Sequence, residues 1–185
     1  MKILYQGSPG AYSHLAALEV YPNAEIIACK TFDECFLRAQ QDEKLNIIIP
    51  ESNKTTGNIG IEYLIFKYRL NIYAEHFHKI EHNLLGLKGA KMSDIKNVLS
   101  HAQALSQCSN YIKKKNFIEN VRADTAGSAE LISKTKDLSN GAIASKLSAK
   151  IYKLEIIDTN IENEKGNTTR FLIMGKSIRQ PDFNK

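Results

Sequence analysis

The chain is poor in the features that would tie it to an extracellular, membrane or metal-scaffold role. Its only cysteines are Cys29, Cys35 and Cys108, an odd number with no CxxC spacing. That argues against a disulfide framework or a zinc site, and the three read as small buried hydrophobes. No stretch approaches eighteen consecutive apolar residues, so no membrane-spanning helix is expected. The apolar run after Met1-Lys2 is too short for a secretory signal. The expectation is a cytoplasmic protein without a membrane partner.

Concentrated charge is also missing. The net charge of +5 is spread over single lysines, apart from Lys113-Lys114-Lys115. That triplet ends a helix-like segment, where cations complement the helix dipole. No aromatic residues interleave with it, so nucleic acid is not an expected partner. A mild basic balance suits a binder of small dianions, although charge alone does not decide it.

Several catalytic signatures are absent. Gly7-Ser8-Pro9-Gly10 lacks the third glycine of a dinucleotide fingerprint, and no Gly-Lys-Ser/Thr follows it as in a P-loop. There is no H-E-x-x-H and no Gly-x-Ser-x-Gly elbow. Glu75-His76 and Glu81-His82 suggest a metal, but neighbouring strand residues face opposite sides. His76, His78 and His82 therefore read as solvated or structural, and no metal is expected.

What is present is alternation. The composition, 43% hydrophobic and 24% charged, is that of a globular domain. Strand-like segments at 2–5, 25–28 and 46–50 alternate with helix-like ones at 11–20, 31–41 and 58–68. Thr31 with Glu34 forms a capping box. Residues 70–87 read as one or two extended crossings. The alternation then resumes, with strands at 95–99, 118–121, 141–144, 156–159 and 169–174 and helices at 102–114, 125–134 and 145–152. This pattern predicts an α/β fold with parallel-rich sheets, helices on both faces, and two lobes around a central cleft. The expected division is 1–79 with 160–185 as one lobe and 80–159 as the other. The tail, 175–185, is polar and is expected to fray.

In open α/β sheets ligands sit beyond the carboxyl ends of the strands. Polar loops fall there at 7–13, 51–57, 100–103 and 124–127, each opening a helix whose free N–H groups suit anions. Ser13, Ser100 and Thr125 read singly as N-caps, and through their repetition as ligand contacts. Asn167-Thr168-Thr169-Arg170-Phe171 places an amide, two hydroxyls and a guanidinium before an apolar strand. Arg170 can fork onto a carboxylate if it faces the cleft. An ordinary strand start with an exposed arginine is the equal alternative.

Five ordered patterns resemble those of the prephenate dehydratases, over about residues 3–174: Gly7 to Ser13, Pro50 to Gly57, Glu75-His76 with His82-Asn83-Leu84, Ser100 to Cys108, and Asn167 to Phe171. The resemblance implies a two-lobed fold like that of the type 2 periplasmic binding proteins. It also implies conversion of prephenate, a dianion, to phenylpyruvate in phenylalanine biosynthesis, without a metal or organic cofactor and commonly in a homodimer. On this reading Thr169 donates to the leaving oxygen, with Asn53 and Gln103 as further catalytic groups. Ser13, Ser100, Thr125, Thr168, Arg170 and Phe171 contact the substrate. Arogenate is the alternative substrate, and a non-catalytic anion binder the alternative function.

The second pattern departs from the family. Ser52-Asn53-Lys54 stands where the family has Glu-Asn-Ser, so the ungapped match loses an acid and gains a cation. Sliding the loop to use Glu51 would put Asn53 and Gly57 out of register. Ala102 replaces a proline. The regulatory domain that often follows in the family is not expected here, nor is feedback by that route.

Overall fold

The computed structural model describes residues 1–177; residues 178–185, most of the polar tail, lie outside the described residues. In chain order the elements are β1 (Lys2–Gln6), α1 (Tyr12–Val20), β2 (Glu25–Cys29), α2 (Phe32–Gln41), β3 (Leu45–Asn53), β4 (Gly57–Asn58), α3 (Glu62–Tyr68) and β5 (Asn71–Lys79). They continue with β6 (Asn83–Gly86), β7 (Asn97–His101), α4 (Ala102–Gln107), α5 (Ser109–Lys115), β8 (Ile118–Arg122), α6 (Thr125–Ser133), β9 (Asn140–Ala144), α7 (Lys146–Tyr152), β10 (Glu155–Thr159) and β11 (Thr168–Gly175). No helix among the described residues is long and apolar enough to cross a membrane.

The chain forms two compact units. One holds Met1–Gly7, Tyr12–Ile80 and the described residues from 167 to 177; the other holds Ser8–Ala11 and Glu81–Gly166. In the first unit the strand order is β2-β1-β3-β11-β5, with β4 paired to β3. The β2-β1-β3 part is parallel, whereas β11 is antiparallel to both of its neighbours. In the second unit the order is β10-β6-β9-β7-β8, again with three parallel strands, β9-β7-β8, and an antiparallel remainder. Each sheet is thus a short βαβ core extended by antiparallel strands.

Local chemistry explains the element ends. The Thr31 hydroxyl accepts the Glu34 N–H at 3.1 Å and starts α2. The reciprocal half of the expected capping box is displaced, because the Glu34 carboxylate accepts from the N–H of Lys30 instead, at 2.8 Å. The helix expected at 102–114 breaks at buried Cys108, giving α4 and α5. The lysine triplet occupies the last turn of α5, where its charges complement the helix dipole. All three cysteines are free and buried, and burial pushes the Cys108 thiol up, leaving it protonated and inert.

In the first unit Leu4, Ile47, Ile49, Leu172 and Met174 pack with Phe36, Ala39 and Leu64 of α2 and α3. Strand alternation turns Ile3, Tyr5, Ile48, Phe171 and Ile173 to the opposite face. Contacts of α1 with β5 and the stacking of His14 on Tyr5 place α1 on that opposite face.

The carboxyl end of β3 is irregular. The strand runs on through Pro50 to Asn53, a stretch expected to become loop after Pro50. Its register with β11 shifts there: Ile48 pairs Ile173 and Pro50 pairs Phe171, but Asn53 pairs Thr169. Glu51 is the extra residue of a β-bulge, next to a proline that cannot donate to the ladder. A one-residue slip moves every later side chain to the other face. The bulge therefore turns Asn53 to the face of Thr169 and Phe171 rather than that of Ile47 and Ile49.

Candidate active site

The polar residues of the first unit gather where β1 and β3 end and β11 begins. Asn53 and Thr169 are direct cross-strand partners, and both are buried. The Asn53 side-chain N–H donates to Thr169 Oγ1 at 2.8 Å. The Asn53 carbonyl oxygen accepts from the N–H of Thr55 at 3.0 Å and its hydroxyl at 2.7 Å, which fixes the amide's orientation. The Lys54 N–H donates to the Thr168 carbonyl at 2.9 Å, closing the ladder beyond the pair. Phe171 is buried two residues along the same face. Ser13, in the first turn of α1, is also buried.

Asn167, just before β11, is 2% exposed, yet neither polar atom of its side chain has a hydrogen-bond partner. A buried amide left this way costs about 1–3 kcal/mol per group. It is held by its backbone, whose carbonyl accepts from Ile80 at 2.8 Å. Residue pattern alone marks Asn167 as part of an unusual stretch but assigns it no contact.

Arg170 does not join this group. Adjacent to Thr169 on one strand, it faces the opposite side. Its Nε donates to Glu75 at 2.7 Å and its Nη1 to Glu51 at 3.4 Å. The guanidinium expected to fork onto a substrate carboxylate is engaged by two carboxylates of its own chain. Glu51 also accepts the Ser52 hydroxyl at 2.6 Å. So the loop in which Ser52 stands where the resemblance implies an acid still carries a carboxylate, one residue earlier on the bulge and held by Ser52 itself. The Lys54 side chain is exposed.

Beside Thr169 on its other flank lies His78, its cross-strand partner on β5. His78 and His76 both hydrogen-bond to Glu19 Oε2, from Nδ1 at 2.9 Å and from Nε2 at 2.8 Å. Burial pushes the Glu19 carboxyl up, but the hydrogen bonds from His78 and His76 outweigh it and leave it below the ordinary carboxylate range. His78 is thus buried and His76 partly exposed, and both have Glu19 as partner. His82, in the second unit, is the structural histidine the sequence suggests: it is buried and its Nε2 lies 2.8 Å from Gln107 Oε1.

The second unit places Ser100, Gln103 and Thr125 at the carboxyl ends of β7 and β8. None of these three is an N-cap. His101 caps α4, and Asp124 caps α6 through the Gly127 N–H. Ser100 is wholly buried in β7, and its hydroxyl donates to the Ile143 carbonyl at 2.6 Å. Gln103 and Thr125 are half-buried in the first turns of α4 and α6. The glycine turn 8–11 is seated here. The carbonyl of Gly10 accepts from Ser145 and Ser148 at 2.6 and 3.0 Å, and that of Pro9 accepts from Tyr152 at 2.8 Å. Ser145 and Ser148 are not singled out by sequence, because their partner lies some 135 positions away.

Comparison with known proteins finds relatives over nearly the whole chain. The family model described as prephenate dehydratase matches residues 3–179. An arogenate dehydratase/prephenate dehydratase of Arabidopsis thaliana is 39% identical over 182 residues, 98% of this chain and 46% of that protein. The chain spans about half the length of the curated relatives it matches. Among solved structures, a prephenate dehydratase of Staphylococcus aureus superposes with a TM-score of 0.79 and 29% identity, over 96% of this chain and 68% of that one. A protein described as a novel type of quorum quenching acylase superposes with a TM-score of 0.88 and 32% identity, over 97% and 66%. A methionine-bound nutrient binding protein of Burkholderia cenocepacia shares the fold alone, with a TM-score of 0.51 and 9% identity over 95% and 84%. The chain accordingly shares its α/β fold with these structures.

Proposed function

The chain belongs to the prephenate dehydratase family, and from that premise we propose that it converts prephenate to phenylpyruvate with the Thr169 hydroxyl as donor to the leaving oxygen. The observation that carries this reading is the 2.8 Å hydrogen bond from Asn53 to Thr169 Oγ1. A hydroxyl whose oxygen already accepts keeps its hydrogen for donation, and the accepted bond polarises it into a stronger donor.

The chemistry asks little more. The bond from the ring to its carboxylate breaks, its electron pair enters the ring, and the carboxylate leaves as carbon dioxide. The ring C–O bond breaks on the other side, and the departing oxygen leaves as hydroxide, hydrogen-bonded by Thr169 and protonated to water by solvent. Aromatisation supplies the driving force. A threonine hydroxyl is a weak acid, so its contribution is a hydrogen bond that strengthens as charge grows on the leaving oxygen. Catalysis is then positioning plus electrostatic stabilisation. Thr168 and the open amide of Asn167 supply further polar contacts in the same stretch. Gln103 enters this reading through its motif, and Thr125 through its place in the polar turn that opens α6.

Arogenate is the second substrate to consider, because the Arabidopsis relative is named for both activities. The test incubates purified protein with prephenate and with arogenate in parallel, following phenylpyruvate absorbance in alkali and phenylalanine respectively. Phenylpyruvate formation supports the reading. Saturable prephenate binding without product from either substrate would replace it with a non-catalytic binder. The homodimer belongs to the same reading and is checked by light scattering.

A further inference from the structure

We infer that Glu19, His76 and His78 form a binding site for a divalent transition-metal ion, with zinc the ion its donor set suits best. The proposed dehydration uses none of these three side chains, and the inference does not rest on it.

The site is built by two elements of the first unit. His76 and His78 are two apart on β5, so both imidazoles project from the face that α1 covers. β5 is hydrogen-bonded to β11 along its length, which fixes the spacing of the two rings. Glu19 reaches them from the last turns of α1, with one carboxylate oxygen 2.8 Å from His76 Nε2 and 2.9 Å from His78 Nδ1. The three donor atoms all lie within 4.8 Å of one another.

That geometry is close to a metal's. Zinc bonds to imidazole nitrogen and carboxylate oxygen are about 2.0–2.2 Å, which in a tetrahedron sets donors roughly 3.3 Å apart. Opening each hydrogen bond by about half an ångström, with the two imidazole nitrogens brought to about the same 3.3 Å spacing, admits the ion. Two imidazoles and one carboxylate are a three-ligand set that leaves a fourth position for water. Magnesium and calcium prefer oxygen ligands, so two nitrogens select against them. The burial is graded in a useful way. The His78 side chain is 9% exposed and lies under the Tyr12 ring, whereas His76 and Glu19 are 26% and 47% exposed. One ligand is anchored while two remain open to an arriving ion.

Position adds a consequence. His78 is the cross-strand partner of Thr169, and cross-strand partners share a face with side chains about 5 Å apart. An ion at His78 would fasten α1, which carries Ser13, to the sheet beside that hydroxyl.

The experiment uses the full chain after chelator treatment and dialysis, titrated with zinc alone by calorimetry and with cobalt(II) alone by visible absorption. We expect one zinc per chain, cobalt bands that zinc abolishes, and no comparable heat from magnesium. Loss of an outer-shell partner costs metal sites about 10–100-fold in affinity, so His76→Ala and Glu19→Gln should each cost at least that much. His101→Ala, an exposed histidine of the second unit, should leave zinc binding unchanged. A rise in the wild-type melting temperature with zinc but not magnesium is a second readout that needs no variant. Absence of zinc binding, or binding that survives both His76→Ala and Glu19→Gln, would overturn the inference and leave a carboxylate–imidazole clasp between α1 and β5.

Discussion

The side-chain amide of Asn53 donates to the hydroxyl of Thr169 across two antiparallel strands at 2.8 Å. Each group depends on the other for orientation, so each should be tested alone and together. Thr169→Ala removes the proposed donor, and loss of one such donor costs about 10²–10³-fold in kcat. Thr169→Ser keeps the hydroxyl and should retain most activity. Asn53→Ala should lower kcat less, and the double variant should fall no further than Thr169→Ala, because residues acting as a unit are not additive. Phenylpyruvate formation is the measurement. Unchanged turnover in Thr169→Ala would remove the assigned donor.

A single variant separates two readings of Ser100. Its motif implies a substrate contact, but its buried hydroxyl donates to the Ile143 carbonyl at 2.6 Å. Ser100→Ala leaves that carbonyl without its side-chain donor and should cost about 1–3 kcal/mol of stability. We expect the urea midpoint to fall with little change in KM. A large rise in KM at unchanged stability would return the hydroxyl to the substrate.

The α/β alternation and nearly every strand are legible in residue pattern, because apolar runs and turn signals are local. The capping residue Thr31 is legible for the same reason. The split at Cys108 is not, since no glycine or proline marks it. Nor are the caps His101 and Asp124, which displace the expected Ser100 and Thr125. The facing of Asn53 toward Thr169 is beyond reach for a deeper reason. Alternation along β3 alone points Asn53 the wrong way, and only pairing with a strand more than a hundred residues later reveals the bulge at Glu51. Arg170 is readable in principle, because it adjoins Thr169 and cannot share its face. The pair His76 and His78 is also visible at strand spacing, but its third member, Glu19, is brought in by the fold.

Acid should weaken the protein through His82 and His14. Burial lowers the His82 pKa below its ordinary value of 6.5, against smaller opposing effects of Gln107 and Glu162; burial likewise lowers that of His14. A histidine with a lowered folded pKa stays neutral while the unfolded chain takes up a proton. The unfolded state then binds more protons, and stability rises with pH. Their contribution is complete above about pH 6.5 and is lost as pH falls below it, by at most about 1.4 kcal/mol per pH unit per group. Urea unfolding from about pH 8 to about pH 5.5 should show this slope, and His82→Gln should flatten part of it. An unchanged slope in that variant would exclude His82 as a source.

Glu51 supplies a carboxylate beside the position where the family's acid is missing. It accepts the Ser52 hydroxyl at 2.6 Å and the Arg170 guanidinium at 3.4 Å, so it is held from both sides at the bulge that aims Asn53. If this carboxylate, on Arg170's side of the sheet, does the work of the lost one through the bulge that aims Asn53, Glu51→Gln should lower turnover by at least about tenfold, while its partly buried 3.4 Å pairing with Arg170 contributes only about 0–1 kcal/mol to stability. Ser52→Glu in the wild-type background puts a second carboxylate beside the first, where like charges repel, and should not raise activity. The same Ser52→Glu placed on Glu51→Gln removes the repulsion and restores an acid next to Asn53, so turnover should recover. Recovery only in the double variant would identify one shared acidic function that the bulge has moved by a single residue. A gain from Ser52→Glu alone would instead show that Glu51 never took that function over.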